Sequence, residues 1–378
     1  MPKSSLELLF LSTPVGPLGS GLGGGVELTL LNWVQVLQAR GHQITVVAPQ
    51  GSVLTSGSVV EISGELQVPA QTQDRNTPIT MPPAPVLGAM WDYGHQHQQH
   101  YDLILNFAYD WLPFYLTPFL TTPVAHFVSM GSLSVAMNEV IRRAAAQFPG
   151  SLGIYTRTQA ETFGLSTDQL VCLGSGIDLS QYEFCPNPGS DLAWLGRIAP
   201  EKGLEDAVAA AQKTGIRLKI MGKIQDQAYW QQILQTYPQA PIEYLGFLST
   251  SQMQANLGQC RALLMTPRWV EAFGNVAIEA LACGVPVIAY SRGGPTEIIQ
   301  PGKTGWLVEP DSVPGLIQGI ATLDQLDRAN CRQQAETEFS LEVWGDRVER
   351  WLLSRVNSPG QFSGLASPPQ IHHKDILN

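Results

Sequence analysis

Short, largely apolar runs recur along the first half of the chain, at residues 6–12, 44–48, 102–107 and 123–128. Between the first two runs, residues 26–40 have apolar side chains at helical spacing, and Gly41 provides a stop signal. Apolar strands that alternate with helices are typical of a parallel sheet covered on both faces. Residues 50–90 are rich in Ser, Thr, Gln and Pro, and we expect loops and weak strands there, inserted over a binding site.

The second half repeats this pattern more regularly, with predicted strands at residues 192–195, 217–221, 242–245, 262–265, 285–289 and 306–308. A linker is predicted at residues 178–191, which contain two prolines and a glycine. We therefore predict an α/β fold of two Rossmann-like, doubly wound domains, at residues 1–180 and 191–340. Ligands bind between the carboxyl ends of the strands in such folds, so the predicted site is an interdomain cleft.

Two segments follow the second domain. Residues 341–356 form an amphipathic pattern, and we expect this helix to return to the first domain. The remaining residues, 357–378, are rich in Ser, Pro and Gly and are expected to form a disordered tail.

Composition narrows the classes of function. Of 378 residues, 44% are hydrophobic and 14% charged, which indicates a globular protein. The net charge of −10 argues against nucleic-acid binding, because phosphates require a basic surface. Five scattered cysteines without a Cys-x-x-Cys pair favour a reduced, cytoplasmic chain with neither disulfides nor a zinc site. No signal-peptide pattern and no long apolar run occur, so no transmembrane segment is expected.

Three histidines close together in the first half of the chain could indicate a metal site. His95, His97 and His100 are surrounded by Gln, without cysteine or paired carboxylates, and we expect a solvated loop there instead.

Two carboxylates, Glu271 and Glu279, are separated by seven residues. The first lies in a loop with Gly274, and the second lies about two turns into the apolar helix that follows. A loop entering a helix presents free N–H groups and the positive end of the helix dipole. Because carboxylates accept hydrogen bonds from hydroxyls, this pattern suits a phosphorylated ligand with many hydroxyl groups.

Two cations, Arg197 and Lys202, follow the predicted strand at residues 192–195 and precede a helix. An arginine fork and a lysine point charge can together neutralise a diphosphate without a metal ion. Taken alone, the two cations are also compatible with a solvated surface pair.

These two stretches resemble the Glu-x7-Glu and Gly-Arg-x4-Lys-Gly motifs of glycosyltransferase family 4, whose members are retaining enzymes of the GT-B fold. Further stretches that resemble family motifs lie at residues 24–27, 123–126, 174–178, 245–247, 293–297 and 302–308. The resemblance covers about residues 6–356 and implies transfer of a hexose from a nucleoside diphosphate sugar.

The resemblance also implies contacts to the donor from both domains. Glu279 would hold the ribose, and Glu271 would hold the sugar together with the backbone of Phe273, Gly274 and Asn275. The leaving diphosphate would be stabilised by Arg197, Lys202 and the Gly24-Gly25 turn. The base would lie near Gly246 and Phe247, and His126 would orient or polarise the sugar. Since no carboxylate nucleophile is evident, a front-face displacement assisted by the leaving phosphate is preferred.

The glycine-rich loop allows another interpretation. The spacing of Gly19, Gly21 and Gly24 formally satisfies the Gly-x-Gly-x-x-Gly fingerprint of dinucleotide sites. That fingerprint needs an acidic residue after the second strand, and the chain has Ala48-Pro49-Gln50 there. A phosphate-contacting turn is therefore favoured over a nicotinamide site.

Family resemblance assigns the acceptor to the first domain. Tyr109, Asp110 and Trp111 follow a strand end there, and aromatic rings beside a carboxylate suit a flat, nitrogen-rich heterocycle. Ordinary core packing is the alternative for these aromatics. The opening at residues 11–29 is similar to cyanobacterial enzymes that transfer glucose to tetrahydrobiopterin. The expected reaction is glucose transfer from UDP-glucose to that small molecule, with no cofactor or metal. A GDP-linked donor, a lipid or polysaccharide acceptor, a nucleotide-sugar epimerase or phosphorylase, and a silent sugar-nucleotide binder stay open.

Overall fold

The computed structural model describes residues 5–20, 24–54 and 57–357. The predicted disordered tail, apart from Asn357, lies outside these ranges, as do Gly21 and Gly23 of the glycine-rich loop.

The first half forms a parallel sheet in the order β3-β2-β1-β4-β5-β6-β7. Its strands are β1 (Glu7–Leu11), β2 (Gln43–Pro49), β3 (Ser58–Ile62), β4 (Leu103–Asn106), β5 (Val124–Val128), β6 (Leu152–Ile154) and β7 (Val171–Cys172). The helices of this half are α1 (Gly25–Ala39), α2 (Val86–His97), α3 (Trp111–Leu116), α4 (Val135–Gln147) and α5 (Arg157–Thr162). The central strands β4 and β5 are buried at every residue, in agreement with their largely apolar sequence.

The second half forms another parallel sheet, in the order β10-β9-β8-β11-β12-β13. Its strands are β8 (Leu192–Leu195), β9 (Leu218–Met221), β10 (Ile242–Gly246), β11 (Ala262–Met265), β12 (Val287–Tyr290) and β13 (Gly305–Val308). The helices are α6 (Leu204–Thr214), α7 (Gln227–Thr236), α8 (Thr250–Gly258), α9 (Asn275–Ala282), α10 (Pro295–Ile298), α11 (Val313–Ala321) and α12 (Arg328–Glu338). The predicted architecture of two doubly wound α/β domains is thus confirmed.

The final helix, α13 (Leu341–Asn357), crosses back and packs on the first domain against α1. Trp33 of α1 is fully buried and meets Trp344 and Trp351 of α13 edge-on, with ring centroids 5.6 and 5.9 Å apart. Gly345 permits this approach, because a Cβ there would lie 2.3 Å from Val36 Cγ2. The Trp351 indole N–H donates to the carbonyl of Gly150 at 2.8 Å, which fixes the helix end.

The chain crosses between the domains twice, and the two crossings are hydrogen-bonded to each other. The Ile177 N–H donates to the Phe339 carbonyl at 2.9 Å, and the Leu341 N–H donates to the Ile177 carbonyl at 3.2 Å. These contacts place the connection between the sheets opposite an open edge where strand ends meet.

The segment at residues 50–90 is more ordered than its composition suggests. It contains β3 and the first turns of α2, and the predicted His/Gln loop is instead the end of α2 and a 3-10 turn at Gln98–His100. His97 stacks on Tyr93 with centroids 4.1 Å apart, and its Nδ1 is 2.9 Å from the Tyr93 carbonyl. The prediction of a loop was therefore wrong, because α2 continues to His97, but the predicted solvation is confirmed for His95 and His100, which are exposed.

None of the helices in the described ranges is long and apolar enough to cross a bilayer.

Candidate functional site

Glu271 lies at the centre of a charged group at the carboxyl edge of the second sheet, in the loop between β11 and α9. Its Oε2 accepts hydrogen bonds from Lys202 Nζ at 2.5 Å and from the Trp269 indole at 3.0 Å. Lys202 Nζ also lies 4.7 Å from the centroid of the Trp269 ring. Burial acts to raise the pKa of Glu271, but the Lys202 charge and these hydrogen bonds outweigh it and lower the pKa. The carboxylate is therefore ionised and paired.

The Glu271 loop is held in place by backbone contacts that only glycine permits. The Gly294 N–H donates to the Glu271 carbonyl at 2.7 Å. A Cβ on Gly293 would lie 2.3 Å from the Glu271 carbonyl oxygen, and one on Gly294 would lie 2.1 Å from that of Phe273. The stretch at residues 293–297, which resembles a closing segment of the family, thus supports the first carboxylate from behind.

The second carboxylate, Glu279, projects from the middle of α9 and is 9% exposed. Its Oε1 accepts a hydrogen bond from the Tyr182 hydroxyl at 3.0 Å. Burial raises the pKa of Glu279 to about 7, although the bond from Tyr182 acts in the opposite direction. Unlike Glu271, this carboxyl group has no cation against it among the described residues, and it changes protonation near neutral pH.

Helix α9 begins directly beside Glu271. Gly274 precedes it with φ of 102°, a conformation that favours glycine, and a Cβ there would lie 2.6 Å from Met265 Cε. The first residue, Asn275, has a buried Oδ1 without a hydrogen-bond partner. The N–H groups at the start of a helix can bind an anion, and a buried amide oxygen without a partner can accept a hydrogen bond from a ligand.

Arg197 lies on the same loop as Lys202 but does not contact Glu271. Its guanidinium pairs with Glu201 at 3.0 Å and bonds to Gln225. Arg197 still contributes to the field at Glu271, where its charge helps to lower the pKa. The two predicted diphosphate contacts therefore have different partners in this structure: Lys202 is paired with Glu271, whereas Arg197 is paired with Glu201.

The predicted base-binding turn lies at the end of β10, farther along the same sheet edge. Gly246 has φ of 78°, and its carbonyl accepts from the Gly222 N–H at 2.8 Å. Phe247 follows with 73% of its surface exposed, the largest exposure among the large apolar residues described. An aromatic face presented to solvent at the rim of a site can stack on a base.

The first domain approaches this edge through the start of α1. Gly24 has φ of 60°, and a Cβ on Gly25 would lie 3.2 Å from Asn275 Nδ2 in the second domain. The tips of α1 and α9 are therefore adjacent across the cleft, so the Gly24-Gly25 turn and the Glu271 loop can contact one ligand.

Further contacts join the two sides of the cleft. Thr156 Oγ1 donates to the Ala272 carbonyl at 2.8 Å, and Tyr155 stacks on Phe273 with centroids 5.4 Å apart. Glu297 accepts hydrogen bonds from the N–H groups of residues 157 and 158 at 3.1 and 2.8 Å, at the N-terminus of α5. Beside these contacts lies a cavity of about 350 Å³. Residues 269–272 line it on one side and residues 129–133 on the other, and we call it the interdomain cavity.

His126 lies in the core of the first domain and does not line the interdomain cavity. Its ring is fully buried in the middle of β5, stacked on Phe114 with centroids 4.3 Å apart. Nε2 lies 2.8 Å from Thr117 Oγ1, whose own proton goes to the Pro113 carbonyl, and Nδ1 lies 3.3 Å from Asn106 Nδ2. Burial lowers the pKa of His126 to about 3, so the imidazole is neutral. Both ring nitrogens are thus engaged inside the core, and the role of His126 at the sugar stays a prediction.

The residue at the end of β5 is Ser129, which the sequence analysis missed. It lines the interdomain cavity, and its buried hydroxyl lacks a hydrogen-bond partner. The predicted strand at residues 123–128 ends at Val128, as observed, and this boundary could have indicated that Ser129 is the first residue beyond the strand. Trp269 was missed as well, since nothing in its local sequence indicates that its indole bonds to Glu271 two residues later.

The three predicted acceptor residues have different environments. Tyr109 and Asp110 line a second cavity in the first domain, whereas Trp111 does not and instead stacks on Tyr115 with centroids 4.6 Å apart. Burial raises the pKa of Tyr109 to about 12. Burial also raises the pKa of Asp110, partly offset by hydrogen bonds that include one from the Leu112 N–H at 3.0 Å. Trp111 thus packs on a neighbouring ring outside both cavities, and its role in acceptor binding stays a prediction.

Among the described residues, no three His, Cys, Asp or Glu side chains are arranged to hold a metal ion.

Comparison with known proteins supports this interpretation of the second domain. Residues 187–338 match the family model for glycosyl transferases group 1. Glycogen synthase of Mycobacterium tuberculosis is 30% identical over 191 residues, 46% of this chain and 45% of that protein. A GDP-mannose-dependent monoacylated phosphatidylinositol monomannoside mannosyltransferase of Corynebacterium glutamicum is 31% identical over 180 residues, covering 43% of this chain and 47% of that protein. The chain thus spans about half the length of these curated relatives.

Solved structures match over nearly the whole chain. Sucrose-phosphate synthase from Thermosynechococcus elongatus has a TM-score of 0.74 at 18% identity, covering 95% of this chain and all of that one. Anabaena HepE, solved with UDP and glucose, has a TM-score of 0.72 at 18% identity, covering 92% and 100%. At this identity the likeness establishes the fold. Residues 187–338 therefore match the glycosyl transferases group 1 family, and the chain as a whole has the two-domain fold of GT-B glycosyltransferases.

Proposed function

We propose that the chain is a retaining hexosyltransferase that uses a nucleoside diphosphate sugar, UDP-glucose, and transfers its glucose to a hydroxyl of a small molecule, tetrahydrobiopterin. The observation that carries the transferase assignment is the interdomain cavity, which brings Glu271 of one domain against the strand ends of the other. Glu271 lines this cavity, Lys202 pairs with Glu271, and α9 begins four residues later. These groups complement sugar hydroxyls and a diphosphate.

The proposed donor lies along the carboxyl edge of the second sheet. Phe247 stacks on the uracil, and Glu279 accepts hydrogen bonds from the ribose hydroxyls. Lys202 turns from Glu271 to the diphosphate, which also meets the amide groups at the start of α9 and the Gly24-Gly25 turn. Glu271, released from Lys202, accepts from the glucose hydroxyls.

In the proposed reaction, the bond between the anomeric carbon and the β-phosphate oxygen breaks, and its electron pair leaves with UDP. The acceptor oxygen forms the new bond on the same face, and its proton passes to the departing phosphate oxygen. Negative charge accumulates on the diphosphate in the transition state, so a fixed cation and fixed N–H groups aimed at it accelerate the reaction. These groups supply the positive charge, and the proposal therefore requires no metal ion.

UDP rather than GDP, and a pterin rather than a lipid or polysaccharide, are the finer parts of the proposal. The pterin assignment is supported by Asp110 beside Tyr109 in the cavity of the first domain, since a carboxylate accepts hydrogen bonds from ring N–H groups.

The test is incubation of the protein with tetrahydrobiopterin and either UDP-glucose or GDP-glucose, followed by oxidation and chromatography with mass detection. A fluorescent pterin that has gained one hexose, formed with UDP-glucose and carrying an α-anomeric proton in its NMR spectrum, is the expected product. UDP release with a glycan or lipid acceptor but not with the pterin would reject the acceptor. Absence of transfer from any nucleotide sugar, or conversion of the donor to an epimer, would reject the transferase.

A further inference from the structure

A second cavity lies inside the first domain, next to the interdomain cavity, and we call it the strap cavity. Residues 67–79 cover it, and the carboxyl ends of β1, β4 and β5 form its floor. The covering segment is anchored at both ends, by the Gln67 N–H on the Pro14 carbonyl at 2.9 Å and by the Val135 N–H on the Arg75 carbonyl at 3.1 Å. Ser129, Met130 and Leu133 line both cavities, so the two spaces meet at the end of β5.

Unpaired polar atoms converge on the strap cavity. Ser129 Oγ, Ser134 Oγ and Gln71 Oε1 are all buried without a hydrogen-bond partner, and all three residues line this cavity. Ser134 precedes α4 at the position where a side chain usually caps the helix, yet it makes no capping bond. Since buried polar groups are nearly always hydrogen-bonded, three unpaired ones on residues that line a single cavity favour a polar ligand there.

Hydrogen bonds from a buried side chain fix the backbone on both sides of Ser129. The fully buried Gln159 donates from Nε2 to the carbonyls of Val128 and Met130 at 2.7 and 2.8 Å, so it fixes the backbone on both sides of Ser129. Gln159 is held in turn by the Tyr155 N–H, which donates to its Oε1 at 2.8 Å. The backbone of Ser129 is therefore fixed where the two cavities meet, while its hydroxyl has no hydrogen-bond partner.

The charge of the strap cavity is one-sided. Its ionisable lining residues, apart from Tyr109, are Asp74 and Asp110, and no Lys, Arg or His is among the described residues that line it. An anionic ligand would be repelled there, whereas N–H and O–H donors would find carboxylate and amide oxygens. The interior volume of about 80 Å³ accommodates a single ring, because a water-sized group needs roughly 10–15 Å³ on this measure.

From these observations we propose that Ser129, Ser134, Gln71 and Asp110 form the polar contacts to the acceptor, and that they select an uncharged or cationic molecule with a ring rich in N–H and O–H donors. The inference rests on the proposed transferase function and deepens it. One ring enters the strap cavity, and Ser129 hydrogen-bonds the acceptor where it passes into the interdomain cavity. Asp74 and Asp110 disfavour a phosphorylated acceptor in the strap cavity, whereas Arg75 lines the adjoining interdomain cavity.

The experiment measures binding directly, so that it does not depend on turnover. Saturation-transfer NMR is recorded with protein saturated in UDP, and tetrahydrobiopterin and glucose 6-phosphate are titrated as the neutral and anionic probes. Wild-type protein should bind the pterin and not the sugar phosphate. Ser129→Ala should weaken pterin binding about 10-fold, as expected for a lost buried hydrogen bond of ~1.4 kcal/mol. Asp110→Asn should also weaken it.

Ser151→Ala is the matched control, because the Ser151 hydroxyl is also buried and unpaired but lines neither cavity. It should leave pterin binding unchanged. Calorimetric UDP binding checks that each variant is folded. Glucose 6-phosphate binding to wild type, absence of pterin binding, or equal pterin affinity in Ser129→Ala and Ser151→Ala would each overturn the inference. Failure of the transferase proposal would appear separately, as absence of hexose transfer by a protein that still binds the pterin.

Discussion

Glu279→Gln should stabilise the ligand-free protein at alkaline pH. The folded chain holds the Glu279 proton up to a pKa of about 7, whereas a free glutamate loses it at 4.5. Between these values the folded state binds more protons than the unfolded state, so the free energy of unfolding falls as the pH rises. The contribution of Glu279 to stability is thus fully present below pH 4.5 and is lost as pH rises through 7. Glutamine keeps an oxygen for Tyr182 but cannot ionise.

The magnitude follows from the pKa difference of about 2.5, which corresponds to about 3 kcal/mol because each pKa unit is worth ~1.36 kcal/mol. The variant should therefore exceed wild type by up to about 3 kcal/mol at pH 8 and match it near pH 4.5. For a domain of this size, that difference shifts the melting temperature by roughly 6–12 °C. Tyr182→Phe should have the opposite sign at pH 8, since it removes the hydrogen bond that stabilises the ionised form.

Calorimetric melting of wild type, Glu279→Gln and Tyr182→Phe at pH 5 and pH 8, without nucleotide, measures these differences. Titration with UDP on the same samples should show Glu279→Gln binding about 10- to 100-fold more weakly, because charge-assisted hydrogen bonds to the ribose are worth ~1.5–3 kcal/mol. A pH dependence of melting identical in wild type and Glu279→Gln would refute the reasoning, since Glu279 would then not titrate with a raised pKa.

The other charged and aromatic groups of the donor site give three further predictions. Glu271→Gln frees Lys202 from its 2.5 Å ion pair, so calorimetry should show UDP bound at least as tightly as in wild type, while transfer falls by on the order of 10²-fold. Weaker UDP binding in this variant would contradict the competition between Glu271 and diphosphate for Lys202. Lys202→Ala and Arg197→Ala should each lower turnover by on the order of 10²-fold, because each removes a positive charge from the diphosphate site. Near-normal turnover in both variants would show that neither residue contacts the diphosphate. Phe247→Ala should weaken UDP binding by ~1–3 kcal/mol without changing the melting temperature, because its ring is 73% exposed, and an unchanged dissociation constant would exclude stacking on the base.

Much of the fold could be read from the sequence, for a physical reason. Strands of a sheet covered on both faces must be apolar throughout, so β8 and β11 are visible as uninterrupted runs, and the predicted limits at residues 192–195 and 262–265 are the observed ones. The segment at residues 50–90 was harder, since β3 lies at the sheet edge, is partly exposed and lacks such a run. Helix α2 was missed because its Gln and His residues hide the apolar face formed by residues such as Met90 and Trp91.

The candidate site divides in the same way. The sequence by itself predicted Lys202, Glu271 and Glu279 as site residues, because motifs at strand ends and helix starts are local, and a parallel sheet gathers its strand ends at one edge. Only the tertiary structure decided the state of each group: Lys202 is paired with Glu271, whereas Glu279 has a raised pKa near neutrality. It also placed Ser129, and not His126, on the wall of the interdomain cavity. Because β5 is buried at every residue, it has no solvent face that would show from the sequence which residue reaches the cleft. His126 lies in the core, where it stacks on Phe114. Ser129, three residues later, lies at the cleft, where Gln159 holds the neighbouring backbone.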